Sequence, residues 1–186
     1  QVHPGPGLAS LDGLERVVLV GSFSKTLGGA LRCGFIATRA DWIDGLTDLS
    51  LATSFGADEV AAQTIHRLLI NGSYRRHLDT LRPRLAHAMA FAAEQLERLG
   101  FTLWKRPEAG MFLWARLPDE LDSAAVAMRA LDQGMMLAPG NAFSATQSAS
   151  RYLRFNVAQC TEMRSFDVLA KVMEHLPVHN REGDAS

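Results

Sequence analysis

The sequence has 186 residues, of which 47% are hydrophobic, and a formal net charge of -1 at pH 7. This composition suits a globular chain with a sizeable apolar core, and the near-neutral charge excludes a broadly basic nucleic-acid-binding surface. No apolar run approaches the roughly 20 residues of a transmembrane helix, and Cys33 and Cys160 are too few for a disulfide framework. We therefore expect a cytoplasmic protein with no membrane partner.

Helical and strand patterns alternate along the whole chain. Apolar residues spaced three or four apart predict helices, and short apolar or alternating runs predict strands. The continuous apolar run at 17–20 is typical of a buried strand. In chain order we predict a helical turn at 9–14, strands at 16–20 and 34–38, helices at 41–51 (capped by Asp41), 58–70 and 75–99, strands at 101–105 and 111–116, a helix at 123–133, strands at 135–138 and 152–157, and a helix at 163–176.

The helix at 75–99 is the longest predicted element and separates two regions of different pattern. Pro83 predicts a kink or restart within it, and Gly100 is a natural C-cap. The polar residues of its first turn, His77 among them, are interpreted as solvated rather than as part of a site. Strands become frequent after Gly100, so the fold class is α/β or α+β with a smaller C-terminal domain.

The densest group of reactive side chains follows the first strand, in the segment 21–34. It combines Ser22, Ser24, Lys25 and Arg32 with a pair of glycines. An amine, two hydroxyls and an arginine fit a ligand with an electrophilic carbonyl and a phosphate, such as pyridoxal phosphate. Strand ends also carry serine, lysine and glycine without any chemical task, so this segment alone leaves both interpretations open.

A second candidate lies in the alternating strand at 152–157. The alternation places Arg154 on the face away from the core, beside Tyr152 and Asn156. An arginine there suits bidentate carboxylate binding, and it equally suits a surface charge. The preceding loop at 139–144 could bring backbone donors or Phe143 towards a ligand, or be a surface connection. No Walker loop, GxGxxG, HExxH or metal-spaced Cys or His pair is present, so no metal site is predicted.

Four blocks of sequence together carry a family resemblance. The segment Ser22-Phe23-Ser24-Lys25-Thr26-Leu27, followed by 30–35, resembles the cofactor-lysine signature of fold-type I, aspartate-aminotransferase-like pyridoxal phosphate enzymes. The blocks at 110–114, 138–143 and 153–156 continue the resemblance in the family's order. It implies an α/β chain that is the C-terminal half of this transferase fold. The implied parts are the end of the large cofactor-binding domain (1–75), a connecting helix (76–99), a small α+β domain (100–177) and a frayed tail (178–186).

The resemblance also implies roles for individual residues. Lys25 is expected to bind pyridoxal 5'-phosphate covalently and then to act as general base and acid. Ser22, Ser24 and Arg32 are expected to bind the phosphate, and Arg154 the α-carboxylate of the substrate. Many relatives have a proline-glycine pair where this chain has the turn at 28–30, which implies altered flexibility there.

Two functions are compatible with these motifs. The first is transamination between an amino acid and a 2-oxo acid. The second is ligand sensing in a regulator, because the closest resemblance is to the aminotransferase-like domain of MocR-type (GntR-family) transcriptional regulators. Those proteins bind DNA through an N-terminal winged-helix domain. The chain starts in a loop without an initiator methionine, so we expect a fragment that is poorly active or inactive by itself. The resemblance implies a homodimer.

Overall fold

A computed structural model describes residues 7–176. They divide into two compact units inside the longest helix, a first unit at 7–81 and a second unit at 82–176. The α/β class is confirmed. The sequence-based domain limits at 75/76 and 99/100 stay predictions, and the tail at 178–186 lies outside the described residues. The elements are α1 (Leu8–Asp12), β1 (Leu19–Ser22), β2 (Gly34–Ala37), α2 (Ile43–Ser54), α3 (Glu59–Ile70), α4 (Ser73–Arg98), β3 (Thr102–Leu103), β4 (Phe112–Arg116), α5 (Ser123–Asp132), β5 (Ala138–Pro139), β6 (Tyr152–Asn156) and α6 (Met163–Glu174).

The first unit contains a two-stranded antiparallel ribbon of β1 and β2. Ser22 pairs with Gly34 across the ribbon. A Cβ atom on Gly34 would lie 2.7 Å from the Gly21 carbonyl oxygen, so the close approach of the two strands requires glycine there. The expectation of a buried first strand is wrong, because among residues 7–176 β1 pairs with β2 alone and Val20 is 71% exposed.

The helices of the first unit begin differently from one another. Asp58 caps α3, where its side chain accepts the Ala61 N–H at 2.7 Å, and this satisfies one of the free donors of the first turn. Asp41, predicted to cap α2, instead pairs with Arg39. A short 3-10 turn at Ala40–Trp42 precedes α2 and takes the place of a side-chain cap.

The second unit is built on a four-stranded antiparallel sheet with the order β3-β4-β6-β5. Leu153, Phe155 and Val157 turn inward from the last predicted strand, as the alternation predicted, and are almost fully buried. The inward residues of β4 and β6 pack with the C-terminal part of α4 and with α5 and α6 in one hydrophobic core. The opposite face of β6 carries Arg154.

Several predicted elements differ in extent, among them the strands predicted at 16–20 and 101–105, which are found at Leu19–Ser22 and Thr102–Leu103. The strand expected at 135–138 is replaced by β5 at Ala138–Pro139, where it pairs with β6. The long helix runs without interruption from Ser73 to Arg98 and includes Pro83. It ends before Gly100, whose φ of +83° is the left-handed conformation that glycine adopts at a helix end.

Candidate functional site

Lys25 lies in a tight turn at the end of the ribbon. The Phe23 N–H donates to the Cys33 carbonyl at 3.1 Å, which continues the pairing of β1 and β2 by one step. The Phe23 carbonyl then accepts the Thr26 N–H at 3.1 Å and the Leu27 N–H at 2.8 Å. The chain therefore reverses directly after β1, and Lys25 is presented to solvent.

Phe23 anchors this turn from beneath. It is buried, and its ring lies 5.6 Å from the ring of Phe35 on β2 and 5.6 Å from the ring of Tyr74 on α4. Aromatic pairs at this spacing stabilise a fold by more than the burial of their apolar surface alone. The residue between the two serines of the motif is thus structural, and it fixes the base of the segment that carries Lys25.

The other predicted cofactor-binding residues lie in the same hairpin. Ser22 ends β1, and its hydroxyl accepts the Ser24 N–H at 3.2 Å. Arg32 follows a 3-10 turn at Gly29–Leu31 and has a φ of +43°, an uncommon conformation for a residue with a side chain. Within residues 7–176, neither Lys25 nor Arg32 forms an ion pair. Two cations without acidic partners, together with two hydroxyls, are a donor set that fits a phosphate and a reactive carbonyl.

Tyr74 and His77 of α4 also contact this hairpin, although the sequence did not indicate it. The Thr26 and Tyr74 hydroxyls share a hydrogen bond of 3.0 Å. The His77 ring nitrogen Nε2 lies 2.7 Å from the Thr26 carbonyl, so it carries the proton and donates it. The polar residues of this turn, His77 included, are exposed as expected, and His77 in addition contacts the hairpin. No local signal links residues that are 48 and 51 positions apart in the chain.

Arg154 lies in the second unit on β6, directly opposite Trp114 of β4. Its guanidinium carbon is 4.5 Å from the ring centroid of Phe112 and 4.0 Å from that of Phe143. Arg154 forms no hydrogen bond or ion pair with any other residue in the described part of the chain. Its N–H donors therefore stay available for an anion, and the loop at 139–144 contributes Phe143 to this arginine.

The neighbours predicted beside Arg154 have structural tasks. The Asn156 side chain accepts the Ala158 N–H at 3.2 Å and caps the turn at Val157–Gln159. The Tyr152 ring stacks on Trp114, with the centroids 5.4 Å apart and the planes at 10°. Neither residue hydrogen-bonds to Arg154, so the carboxylate-binding candidate on this strand is the arginine itself.

Other kinds of site are not formed by the predicted site residues. An apolar groove of about 600 Å³ lies between β1, β2 and α2, and none of the predicted site residues lines it. Among residues 7–176, no group of three or more His, Cys, Asp or Glu side chains could hold a metal ion. No helix in the described ranges is long and apolar enough to cross a membrane.

Comparison with known sequences identifies the family of this chain. The profile of the family described as aminotransferase class I and II matches residues 3–172, nearly the whole sequence. The chain belongs to this family. Membership confirms the resemblance that the four sequence blocks predicted, and it identifies pyridoxal 5'-phosphate as the cofactor of the fold.

Individual relatives in the aminotransferase family fall into two groups. Aromatic-amino-acid aminotransferase 1 of Thermococcus litoralis is 28% identical over 176 residues, which are 92% of this chain and 42% of that protein. An uncharacterized HTH-type transcriptional regulator, YdfD of Bacillus subtilis, is 24% identical over 85% of this chain and 33% of its own. The regulator NorG of Staphylococcus aureus is 30% identical over 64% of this chain and 27% of its own.

Solved structures show the same fold. The kynurenine aminotransferase of Pyrococcus horikoshii, described in complex with PMP, superposes with a TM-score of 0.80 at 25% identity, over 95% of this chain and 45% of that one. The chain therefore spans less than half the length of the relatives it matches. Its described part contains the hairpin of Lys25 and the strand of Arg154.

Proposed function

We propose that this chain is the part of a pyridoxal phosphate-dependent aminotransferase that carries the cofactor lysine and the carboxylate-binding arginine. The reaction is the transfer of an amino group between an amino acid and a 2-oxo acid. The observation that carries the proposal is the hairpin in which Lys25 and Arg32 lie beside Ser22 and Ser24, with no acidic partner for either cation among residues 7–176. Family membership over residues 3–172 supports the same chemistry.

The residues of the hairpin divide into an anchor and a reactive group. The Ser22 and Ser24 hydroxyls and the Arg32 guanidinium would hold the phosphate, since a guanidinium binds phosphate oxygens through two parallel charge-assisted hydrogen bonds. Lys25 would hold the carbonyl carbon covalently. When bound, the cofactor supplies an electron sink for the electrons of the substrate Cα–H bond. The freed Lys25 amine would take the α-proton as a general base.

Arg154 would supply the substrate contact. Its in-plane N–H groups suit a carboxylate, which accepts two parallel hydrogen bonds from a guanidinium. A carboxylate fixed in this way limits rotation of the bound amino acid and so orients its α-hydrogen. We also propose a homodimer in the cytoplasm, in line with the family resemblance and with the two free thiols of Cys33 and Cys160.

The cofactor assignment is tested on the intact protein by its visible absorption band. Lys25→Ala is expected to abolish the band of lysine-bound cofactor, because no other amine of the hairpin could replace it. Lys105→Ala changes an exposed lysine of the second unit and should leave the band intact. A Lys25→Ala protein that keeps the band would refute the assignment.

The carboxylate assignment is tested by spectral titration with amino acids. Arg154→Ala is expected to weaken the amino-acid-induced spectral change while cofactor binding persists. Loss of a charge-assisted pair of hydrogen bonds corresponds to about 1.5–3 kcal/mol, or roughly tenfold to a hundredfold in affinity. Arg164→Ala, which alters an exposed arginine at the start of α6, is the matched control. An unchanged amino-acid affinity in Arg154→Ala contradicts the role.

A second function is supported by the regulators among the relatives. YdfD and NorG are HTH-type transcriptional regulators, and they match the same chain that the aminotransferases match. Under this alternative, Lys25 and Arg154 would bind the same ligands as a signal, and a separate winged-helix domain would bind DNA. The intact protein separates the two functions. Steady conversion of an amino acid and a 2-oxo acid supports the enzyme, and amino-acid-dependent DNA binding without turnover supports the regulator.

A further inference from the structure

We propose that Phe112 and Phe143 are positioning residues that hold the guanidinium of Arg154 ready to bind a carboxylate. The inference deepens the proposed function and rests on the assignment of Arg154 as the carboxylate-binding residue. It adds two side chains to the site: Phe112 from β4 and Phe143 from the turn that follows β5.

β6, which carries Arg154, lies between β4 and β5, and one ring contacts Arg154 from each of these two sides. Phe112 is the first residue of β4, which pairs with β6 on one side. Phe143 ends the 3-10 turn that follows β5, which pairs with β6 on the other side. Their centroids lie 4.5 Å and 4.0 Å from the guanidinium carbon, within the roughly 6 Å limit of a cation–π contact. The sheet order therefore places Arg154 between two aromatic contributors.

Contacts of this kind leave the hydrogen-bonding capacity of an arginine intact. All guanidinium N–H donors lie in one plane, and an aromatic ring attracts the cation through its π face without accepting a conventional hydrogen bond. Arg154 has no hydrogen-bond acceptor among residues 7–176. The rings thus restrict the long side chain and keep its donors free for a carboxylate.

The position of Phe143 is itself supported by a second layer of rings. Trp114 contacts Phe143 edge-to-face, with the centroids 5.9 Å apart, and stacks on Tyr152. Phe112 and Phe143 nevertheless stay 40% and 48% exposed, so neither contributes fully to the core. Two large apolar side chains that remain exposed beside an unpaired cation fit a site more closely than they fit core packing.

A free arginine side chain loses rotamer freedom when it binds an anion, and this loss reduces affinity. An arginine already restricted by two rings has less freedom left to lose, which is the general advantage of preorganisation. We therefore expect Phe112→Leu and Phe143→Leu each to weaken carboxylate binding by roughly twofold to fivefold, since an exposed cation–π contact contributes modestly. Phe143→Tyr keeps the π face and should stay near the wild-type affinity.

The experiment measures the dissociation constant of 3-phenylpropionate for the intact, cofactor-loaded protein by calorimetry. This carboxylate lacks an amino group, so binding is measured without reaction. Trp104→Leu is the matched control, because Trp104 is 73% exposed and contacts Tyr152 but not Arg154. In an Arg154→Ala background, Phe143→Leu should have little further effect, since the cation on which the ring acts is gone.

The outcomes separate the two levels of inference. If wild type does not bind the probe, or Arg154→Ala leaves the dissociation constant unchanged, the proposed carboxylate role of Arg154 fails. If Arg154→Ala weakens binding while both leucine variants match wild type, the positioning role alone fails. Equal losses for Phe143→Tyr and Phe143→Leu, or a full further loss in the Arg154→Ala background, also overturn it. These last comparisons hold even where a leucine variant lowers stability.

Discussion

His77→Ala should loosen the turn that carries Lys25. The substitution removes a hydrogen bond of 2.7 Å from Nε2 to the Thr26 carbonyl. A typical intramolecular hydrogen bond contributes about 0.5–1.5 kcal/mol, and the exposure of His77 favours the lower half of this range. Tyr74→Phe removes the 3.0 Å hydroxyl contact with Thr26 while its ring can still pack on Phe23. The double variant His77→Ala with Tyr74→Phe should thus make cofactor binding less favourable by about 1–2 kcal/mol, or roughly fivefold to thirtyfold in cofactor affinity.

The assay for this prediction is a cofactor titration followed by the visible absorption of the intact protein. Hydrogen exchange of the Thr26 and Leu27 amides gives a second readout, because both amides donate to the Phe23 carbonyl inside the turn. His87→Ala is the matched control, since His87 is exposed on the same helix. The reasoning is refuted if the double variant binds cofactor as tightly as His87→Ala and exchanges these amides at the same rate.

Three other predictions concern stability. Gly34→Ala should lower the free energy of unfolding, measured in urea, by about 1–3 kcal/mol, because its Cβ would lie 2.7 Å from a backbone oxygen. The control Gly45→Ala, in open space inside α2, should be neutral or stabilising. Equal effects of the two substitutions would contradict the clash at Gly34. Asp122→Ala should lower the free energy of unfolding by about 0.5–2 kcal/mol, because the Asp122 carboxylate caps α5 by accepting from two N–H groups. Asp132→Ala, at the other end of α5, should leave it unchanged, and an equal loss there would contradict the cap. Burial raises the pKa of the Cys160 thiol to about 11. The unfolded thiol ionises at lower pH, so stability should fall between pH 9 and 11, and Cys160→Ala should flatten that fall in unfolding measured against pH.

The sequence predicts elements well where local chemistry decides them. The helices predicted at 58–70 and 123–133 are found directly after Asp58 and Asp122, since a carboxylate before an apolar-periodic run caps free N–H groups wherever the helix lies. The alternation around Arg154 likewise predicts which face of β6 is buried. The strand expected at 135–138 fails because pairing with β6, a tertiary contact, decides which residues extend.

The sequence indicates candidate reactive residues, whose roles stay a prediction, and does not indicate the residues that support them. Lys25 and Arg32 fall within one continuous segment, so composition and spacing indicate them. Tyr74 contacts that segment from the far end of two intervening helices, and Phe143 reaches Arg154 from a neighbouring turn. Such contacts depend on topology, and nothing in the local pattern of either aromatic residue distinguishes it from a core side chain.

The two units differ in how much of their order comes from apolar packing. The buried apolar residues of the first unit are Phe23, Ala61 and Ile65 within the described range, whereas the second unit has a continuous core on five elements, namely α4, β4, α5, β6 and α6. Hydrophobic burial is the dominant favourable term in folding, so a unit with few buried residues relies more on individual polar and ring contacts. The contacts of Phe23 and Thr26 with α4 therefore carry a large share of the order in the Lys25 turn.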